Sequence, residues 1–331
     1  MIDLFSMPFM QRALLAAVFT GLAAPAVGTY LVQRRLALMG DGIGHVAVTG
    51  VAIGLVTGTS PTWTAVVVAV LGAIVIEVIR ERGHANGDVA LALLFYGGLA
   101  GGVLITGLGA QSTVKLQQYL FGSITTITAG DVLVTMVLAA VVIVLCVGLA
   151  PQLFAVAQDD EFARVAGLNT RFYNVLVAVV AAVSVTVAMR TVGLLLVSAL
   201  MVVPVATAQQ VTRSFRSTLG LAMGLGVLAS LGGLVVSTFA SYRADVAPGP
   251  TIVLVALLGF VLAWPAGVLL RQRRRRRAPF AGVVPQEHLT TDHEHLHGDE
   301  CGHPGVQHGD HVDYVHDGHR HAPHGRHYDE H

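Results

Sequence analysis

The stretch RRLALMGDGIGHVAVTGVAIG, residues 34–54, decides how the rest of the chain is interpreted. It is mostly apolar and lies between other apolar segments, yet Asp41 and His45 stand four positions apart within it. This spacing places two side chains on the same face of an α-helix, with their Cβ atoms about 6 Å apart. The stretch therefore predicts an apolar helix that carries a polar pair on one face.

The composition is that of a membrane protein. Of the 331 residues, 54% are hydrophobic and 12% are charged, and the mean hydropathy is +0.68. Soluble domains carry about 25% charged residues. Apolar runs of about 20 residues, long enough to cross a bilayer, recur between residues 13 and 270. We expect no cleaved signal peptide, because the chain enters its first apolar run without a basic region. No disulfide is expected between Cys146 and Cys301.

These runs predict an all-α polytopic membrane protein with eight to nine transmembrane helices. Residues 1–270 are expected to form the transmembrane domain, residues 271–287 a basic juxtamembrane linker and residues 288–331 a disordered tail. The boundary between the sixth and seventh spans is open, because only Met189-Arg190-Thr191 interrupts the apolar residues there. The predicted spans are 12–32, 39–58, 62–80, 88–108, 130–149, 172–189, 191–206, 217–238 and 250–270.

The arginines predict the orientation of the chain. They mark every second connection, and a final cluster of six lies within residues 271–277. Loops rich in arginine and lysine stay on the cytoplasmic side of a membrane. With nine spans, these loops and the C-terminus are expected in the cytoplasm and the N-terminus outside. The arginines that mark the connections are Arg34, Arg35, Arg80, Arg82, Arg164, Arg171, Arg213 and Arg216.

Asp41 and His45 are the candidate metal ligands of the membrane domain. A carboxylate and an imidazole together suit zinc, manganese or iron(II) better than calcium or magnesium. Two ligands do not close a site, so other helices or water must complete it. The alternative is a structural Asp–His hydrogen bond near the interface. The glycines at 40, 42 and 44 favour a functional site, because they weaken the helix and thin its wall there.

The other ionisable residues in or beside the spans are expected to have structural roles. Glu77 is expected at a solvated helix end, since Arg80 follows one turn later. Asp88 and Asp131 follow loop sequences and are interpreted as helix N-caps, and Asp245 as a cap or an interfacial residue.

Several segments together resemble the metal permeases of ABC transporters, the zinc, manganese and iron family related to the zinc-uptake permease. The stretch at 34–54 is similar to the early signature of that family, with its basic residues followed by Gly-Asp and His. The similar segments occur in the family's order and span residues 30–265. The others are GDVALALLFYGG, YLFGSITTITAGDVL, DDEFARVAGLNTRFYN, TVGLLLVSALMVVPVATAQQVTRSFRSTL and DVAPGPTIVLVALLGF.

The resemblance implies a permease bundle of the metal and vitamin B12 importer type, in the plasma (inner) membrane. It implies a homodimer that works with two copies of a cytoplasmic ABC ATPase and with an extracytoplasmic metal-binding protein. Asp41 and His45 match the family's metal ligands in the translocation path. Zinc is ranked first as cargo, then manganese, then iron(II). No tightly bound cofactor and no nucleic-acid partner are expected.

The ATPase is expected to be a separate subunit. A P-loop needs a GK[ST] sequence, and the one lysine of the chain, Lys115, lies between Val114 and Leu116. Pro204 is expected to end or bend a helix, and a short helix at 206–216 is predicted to dock on the ATPase, as the resemblance implies. Residues 159–168 are a second candidate for this contact. The predicted coupling residues are Ala206, Thr207, Gln209, Gln210, Arg213 and Arg216.

The tail contains thirteen of the 15 histidines. Such a tract has too few apolar residues to form a core and is typical of disorder, and imidazole binds zinc, copper, nickel and iron. A loose metal chelator is expected, and its effect on transport is left open. The histidines are His288, His293, His295, His297, His303, His308, His311, His316, His319, His321, His324, His327 and His331.

Three other functions compete with this interpretation. An ion-coupled secondary metal transporter would need more ionisable groups inside the membrane than Asp41 and His45. A membrane metal sensor would use the tail but would not need so many spans. An intramembrane enzyme is disfavoured, because the sequence contains no HExxH motif and only His45 lies well inside a predicted span.

Overall fold

The structure is a computed structural model. It describes residues 7–330 apart from 82–86, 109–115, 117–118, 121, 123–126, 190–192, 195–196, 242–245, 278–288, 291–300, 309–310, 317–318 and 325–326. It divides into two compact units, Met1–Leu269 and Leu270–His331, and each unit is described by itself.

The first unit is a bundle of helices. They are α1 (Pro8–Gln33), α2 (Met39–Thr57), α3 (Pro61–Glu81), α4 (Gly87–Gly107), α5 (Ala129–Gly148), α6 (Ala150–Gln158), α7 (Asp160–Val165), α8 (Thr170–Ala188), α9 (Val197–Val211), α10 (Phe215–Ala240) and α11 (Pro248–Arg277), the last of which runs on into the second unit.

Eight of the helices in the described part of the chain are long and apolar enough to cross a membrane. They are α1 to α5, α8, α10 and α11, and they confirm eight of the nine predicted spans. The remaining span, predicted at 191–206, corresponds to α9, which begins later and has 15 residues. At 1.5 Å per residue this helix rises about 22 Å, less than the roughly 30 Å of a bilayer core. The chain is a polytopic α-helical membrane protein.

Glycines allow α2 to pack closely against α3 and α4. A Cβ atom on Gly98 of α4 would lie 2.5 Å from the backbone nitrogen of Val46 and 2.6 Å from the carbonyl carbon of His45. The Thr49 hydroxyl of α2 donates to the Gly98 carbonyl over 2.7 Å. Towards α3, a Cβ on Gly50 would lie 2.6 Å from the Cα atom of Ala65. Small residues thus let three backbones approach one another, as is usual in lipid.

The α1 helix crosses α10 at a second close contact. A Cβ atom on Gly21 would lie 2.8 Å from the Gly226 carbonyl oxygen, and one on Gly226 would contact Pro25 at 2.5 Å. By contrast, Gly220 and Gly224 stand four positions apart in α10, the spacing of small residues that often marks a helix-packing surface, yet no atom lies within 4 Å of a Cβ added at either position. The spacing of small residues therefore identifies a packing surface only where a neighbouring helix is present.

One end of the bundle carries Arg34 after α1, Arg80 in the last turn of α3 and Arg171 in the first turn of α8; we call it the basic end. There Arg34 lies 3.6 Å from Glu77, and Arg171 lies 3.1 Å from Glu81. The start of α10 lies at the same end, since the Phe215 ring packs on Tyr30 and Phe154. Connections that the sequence predicts on one side of the membrane are therefore together in the structure.

The second unit contains a five-stranded antiparallel sheet in the order β1-β5-β4-β3-β2. Its strands are β1 (Leu289–Thr290), β2 (Gly305–His308), β3 (His311–His316), β4 (His319–His324) and β5 (His327–Glu330). The described residues therefore differ from the predicted disorder.

Candidate metal site

The candidate ligands lie in the first two turns of α2. Asp41 is half-buried, and His45 is 6% exposed. Three glycines surround them in sequence, and Gly44 faces the segment that precedes α9, since its added Cβ would lie 3.4 Å from Leu194. The pair is thus enclosed by helices that approach α2 closely.

Two neighbouring helices add groups that the sequence did not single out. The Ser198 hydroxyl of α9 donates to Asp41 Oδ1 over 3.4 Å. The Phe95 ring of α4 lies 4.0 Å from the His45 ring, centre to centre, in an edge arrangement. Met201 of α9 lies near the start of α2, where its Sδ would be 3.1 Å from a Cβ on Gly40. The site therefore presents a carboxylate, an imidazole and a hydroxyl from two helices.

His45 is not held by a structural hydrogen bond at Nδ1. This atom is buried and has no hydrogen-bond partner. A buried polar atom without a partner carries a desolvation cost of about 1–3 kcal/mol, which a bound cation would offset. Among the residues that the structure describes, no three His, Cys, Asp or Glu side chains gather at one point.

Glu77 is a correction to the sequence-based expectation. It is 1% exposed and not at a solvated helix end. Arg80 lies 2.5 Å from it and Arg34 3.6 Å. Burial lowers the pKa of Arg34, and Arg80 acts in the same direction, while Glu77 opposes both. Glu77 can be buried because Arg34, at the end of α1, gives its carboxylate a second counter-ion.

The other acidic residues have different outcomes. Asp131 is not the N-cap that the sequence predicts but the third residue of the helix: Thr128 is the N-cap, and the Asp131 carboxylate accepts from the Thr128 backbone over 3.0 Å while the Thr128 hydroxyl accepts from the Asp131 backbone. The Asp88 side chain and Asp245 lie outside the described part of the chain.

The prediction of a separate coupling helix at 206–216 is wrong, because residues 206–211 belong to α9 and residues 215–216 to α10. The α9 helix continues through Pro204 to Val211. Membrane helices tolerate the loss of the backbone hydrogen bond that proline removes. The break comes instead at Ser214, whose side chain forms a capping box with Ser217 and starts α10. Thr207 is buried inside α9, Ala206 and Gln210 are half-buried, and Gln209, Arg213 and Arg216 are exposed.

The short helix α7 exposes large apolar side chains, which the 206–216 segment does not. It lies at the basic end, where Asp160 accepts from Asn174 of α8 over 3.2 Å. Asp159 caps its start. Its Phe162 and Val165 side chains are 67% and 88% exposed, although neither belongs to a span. Beside α7 lies a cleft of about 730 Å³, lined by charged residues that include Arg34, Arg80 and Arg164.

The tail histidines have several outcomes. His303, His311 and His321 have described side chains, and Nε2 of His311 lies 3.2 Å from Oδ1 of the buried Asp313. A second group has described backbone only: His308, His316, His319, His324 and His327. The remaining ones, His288, His293, His295, His297 and His331, lie outside the described residues. Their metal binding stays a prediction.

Comparison with known proteins agrees with this architecture. The model of the ABC 3 transport family matches residues 6–266. The manganese import system permease protein ScaB of Streptococcus parasanguinis is 32% identical over 82% of this chain and 94% of its own. The high-affinity zinc uptake system membrane protein ZnuB of Haemophilus influenzae is 28% identical over 76% of this chain and 95% of its own.

A solved structure shares the fold at similar identity. It is PsaBC from Streptococcus pneumoniae in complex with Fab, which superposes with a TM-score of 0.72 at 32% identity. The match covers 82% of this chain and 98% of that one. With the membrane-spanning bundle and the family match over most of its length, the chain belongs to the ABC 3 transport family of metal ABC transporter permeases.

Proposed function

We propose that the chain is the permease subunit of an ATP-driven importer, and that a divalent transition metal passes Asp41 and His45. The observation that carries this proposal is the buried, unpartnered Nδ1 of His45 one turn from Asp41. A metal cation satisfies both groups at once. Ser198 and water complete the coordination while the ion is in transit.

Zinc is the first candidate cargo, and manganese is the second. An imidazole and a carboxylate suit zinc, whereas additional oxygen ligands such as the Ser198 hydroxyl suit manganese. The relative from S. parasanguinis is named for manganese and that from H. influenzae for zinc. Both metals therefore belong in the same experiment, with iron(II) as the third.

The chain is proposed to work as a homodimer with two cytoplasmic ATPase subunits, which dock at the basic end. The exposed Phe162 and Val165 of α7 provide an apolar contact surface outside the spans. A hydrogen bond joins α7 to α8, and ion pairs join α8 and α1 to α3, so a movement of α7 can reach the bundle. Transport is by alternating access, and a metal-binding protein delivers the ion on the opposite side. The tail extends into the cytoplasm.

The transport proposal is tested by uptake of radioactive zinc and manganese in cells that lack their own importers. The cells produce this chain with its ATPase and binding protein. Saturable, ATPase-dependent uptake of one metal, inhibited by an excess of the same metal, supports the proposal. Uptake that persists with an inactive ATPase contradicts it and favours an ion-coupled transporter.

The docking proposal is tested by co-purification of the ATPase. Phe162→Ser and Val165→Ser together should reduce ATPase recovery at least about tenfold, since buried apolar residues dominate contact energies. Gln209→Ala with Arg213→Ala is the matched control, because both residues are exposed at the predicted 206–216 segment. If only the control pair reduced recovery of the ATPase, the docking site would lie in the 206–216 segment and not on α7.

A further inference from the structure

The cleft beside α7 lies where three membrane spans meet. Its volume is about 730 Å³, within the roughly 300–1,000 Å³ that is usual for ligand sites. Its walls come from the end of α1, the last turn of α3, the end of α6, α7 and the start of α8. Because α1, α3 and α8 are spans, their common end lies at the depth of the lipid headgroups. Groups found at the membrane surface can therefore reach the cleft.

The charged residues that line the cleft are mostly basic. Arg164 lies 3.3 Å from Asp160, and Arg171 lies 3.1 Å from Glu81. Arg34 and Arg80 share the buried Glu77, and both contact the same oxygen, Oε1. Four arginines are thus matched by three carboxylates, which leaves one positive charge for an anion. The charged residues among the described lining are Arg34, Arg80, Arg164, Arg171, Glu81 and Asp160.

Arg34 is the least solvated of these arginines. Its side chain is 9% exposed, and burial lowers its pKa, with the positive charge of Arg80 acting in the same direction. A lowered pKa means that the surroundings disfavour the charged form of the guanidinium. An anion in the cleft would favour the charged forms of both Arg34 and Arg80.

Two residues of the lining carry buried atoms without a hydrogen-bond partner. One atom is a donor, Nε of Arg80, and the other is an acceptor, Oδ1 of Asn174. The Asn174 amide is oriented by its Nδ2, which donates to Asp160 over 3.2 Å. The start of α8, residues 169–171, also lines the cleft, and helix N-termini attract anions. The lining thus suits a ligand that is negatively charged and that also carries a hydrogen-bond donor.

We propose that the cleft binds the phosphate group of an anionic phospholipid, with a glycerol headgroup as the best match. Phosphate oxygens accept hydrogen bonds from arginine in a paired geometry, and glycerol hydroxyls can donate to Asn174. Basic pockets between membrane helices bind such headgroups. A zwitterionic headgroup adds a cation, which the excess of arginine disfavours. The site shares no residue with Asp41 and His45, so it does not depend on the identity of the transported metal.

The lining also has an apolar part. Val156 and Ala157 at the end of α6 are buried, and Leu168 is half-buried between α7 and α8. A free phosphate ion is far smaller than the cleft and has no apolar surface to contact these side chains. A phospholipid has both a charged headgroup and an apolar junction to its acyl chains. Its size and chemistry therefore fit the lining better than those of the free ion.

The test measures lipid binding to the purified full chain by native mass spectrometry in a non-ionic detergent. The probes are short-chain phosphatidylglycerol and phosphatidylcholine of equal chain length, and phosphatidylglycerol should bind more tightly. Arg164→Gln with Arg171→Gln should weaken its binding at least about tenfold, the loss expected for one hydrogen bond to a charged group. Equal binding of the two lipids to the unsubstituted chain would overturn the proposal.

The matched control for this variant is Arg213→Gln with Arg216→Gln. These arginines are also exposed, and their loss changes the net charge equally, but neither lines the cleft. Binding of phosphatidylglycerol to the control should equal that of the unsubstituted chain. Equal losses in the two variants would show attraction to the overall charge and would overturn the proposal.

A second pair of variants keeps every arginine. Leu168→Glu adds a carboxylate to the lining of the cleft, whereas Val165→Glu adds one to a side chain that is 88% exposed and outside the lining. The first substitution should weaken binding of phosphatidylglycerol, because its charge competes with the phosphate for the arginines, and the second should not. Unchanged binding after Leu168→Glu would overturn the proposal.

Two further measurements separate the lipid from other ligands. Inorganic phosphate at the same concentration should leave phosphatidylglycerol bound; displacement would assign the cleft to free phosphate and overturn the lipid assignment. Co-purification of the ATPase is measured with the Arg164 and Arg171 variant. A loss of the ATPase with unchanged lipid binding would assign these arginines to contact with the ATPase and would likewise overturn the proposal.

Discussion

Two clusters of ionisable side chains are buried in the helical bundle, and they differ in how they are satisfied. Glu77 is 1% exposed and contacts two arginines, Arg34 and Arg80. His45 is 6% exposed, and its Nδ1 has no hydrogen-bond partner, while Asp41 receives one long hydrogen bond from Ser198. In the first cluster the Glu77 carboxylate is paired within the protein, although Arg80 Nε has no hydrogen-bond partner. The second cluster contains no cationic partner for Asp41 and has capacity for a cation.

This difference separates a structural role from a functional one. Removing one partner of a buried ion pair leaves an uncompensated charge and is strongly destabilising. Removing a buried polar group that has no partner relieves a desolvation cost. Substitutions in the two clusters should therefore have opposite signatures: loss of stability around Glu77, and loss of transport with retained stability at Asp41 and His45.

The largest effect is expected on transport for Asp41→Ala and His45→Ala. Each should lower metal uptake at least about 100-fold, since loss of one of two ligands disables the site. Their unfolding temperatures should stay close to that of the unsubstituted protein, since Asp41 loses one long hydrogen bond and His45 Nδ1 has none to lose. Uptake and thermal unfolding are measured on the same preparations, with deletion of 288–331 as a control that retains uptake. Normal uptake by either variant would show that the pair is structural.

The next effect is on stability. Glu77→Gln should lower the free energy of unfolding by about 3–5 kcal/mol, because Arg34 and Arg80 lose their buried counter-ion. Glu81→Gln is the matched control. Glu81 pairs with the exposed Arg171, and pairs of this kind contribute about 0–1 kcal/mol. Chemical denaturation in detergent gives both free energies of unfolding. Equal losses for the two variants would show that Glu77 does not form an essential buried ion pair.

A third prediction concerns the support behind His45. Gly98→Leu should displace α2, because an added Cβ already lies 2.6 Å from the His45 carbonyl carbon. Overpacking of this kind costs about 1–3 kcal/mol, and uptake should fall with it. Gly97→Leu is the control, since nothing lies within 4 Å of its added Cβ. If both variants transport alike, the α2–α4 contact does not position the site.

The smallest effect is expected for Ser198→Ala. The hydroxyl makes one hydrogen bond of 3.4 Å to Asp41, and a single hydrogen bond contributes about 0.5–1.5 kcal/mol, or about two- to tenfold. The concentration of metal that gives half-maximal uptake should rise by this factor, while the maximal rate stays the same. Ser184→Ala, which removes the hydroxyl of a buried serine away from Asp41, should leave both quantities unchanged.

Much of the bundle could be predicted from the sequence, because apolar runs of bilayer length have few alternative structures. The Asp41–His45 pair follows from a spacing of four on one helix. Ser198 could not be found in this way, since it lies 157 positions from Asp41 and arrives through helix packing. The burial of Glu77 was missed for the same reason: Arg34 approaches from another helix.

Two errors had local signals in the sequence. Ser214 and Ser217 are spaced as a capping box, and they place the break after α9 more accurately than Pro204 does. In the tail, Gly-Asp and Asp-Gly stand between histidines and beside Val312 and Val315, a pattern that indicates short hairpins. The low overall apolar content of the tail obscured that pattern, because it favours disorder when averaged over the whole segment.

The most direct test of the metal site is the effect of metal on thermal unfolding of the chain that lacks residues 288–331, so that tail histidines cannot contribute. Zinc or manganese at about 100 times its dissociation constant should stabilise this protein by about 2.7 kcal/mol. The same metal should leave the unfolding temperature of His45→Ala, made in the same shortened chain, unchanged. Equal stabilisation of the two proteins would show that the metal binds elsewhere and would contradict the assignment of Asp41 and His45.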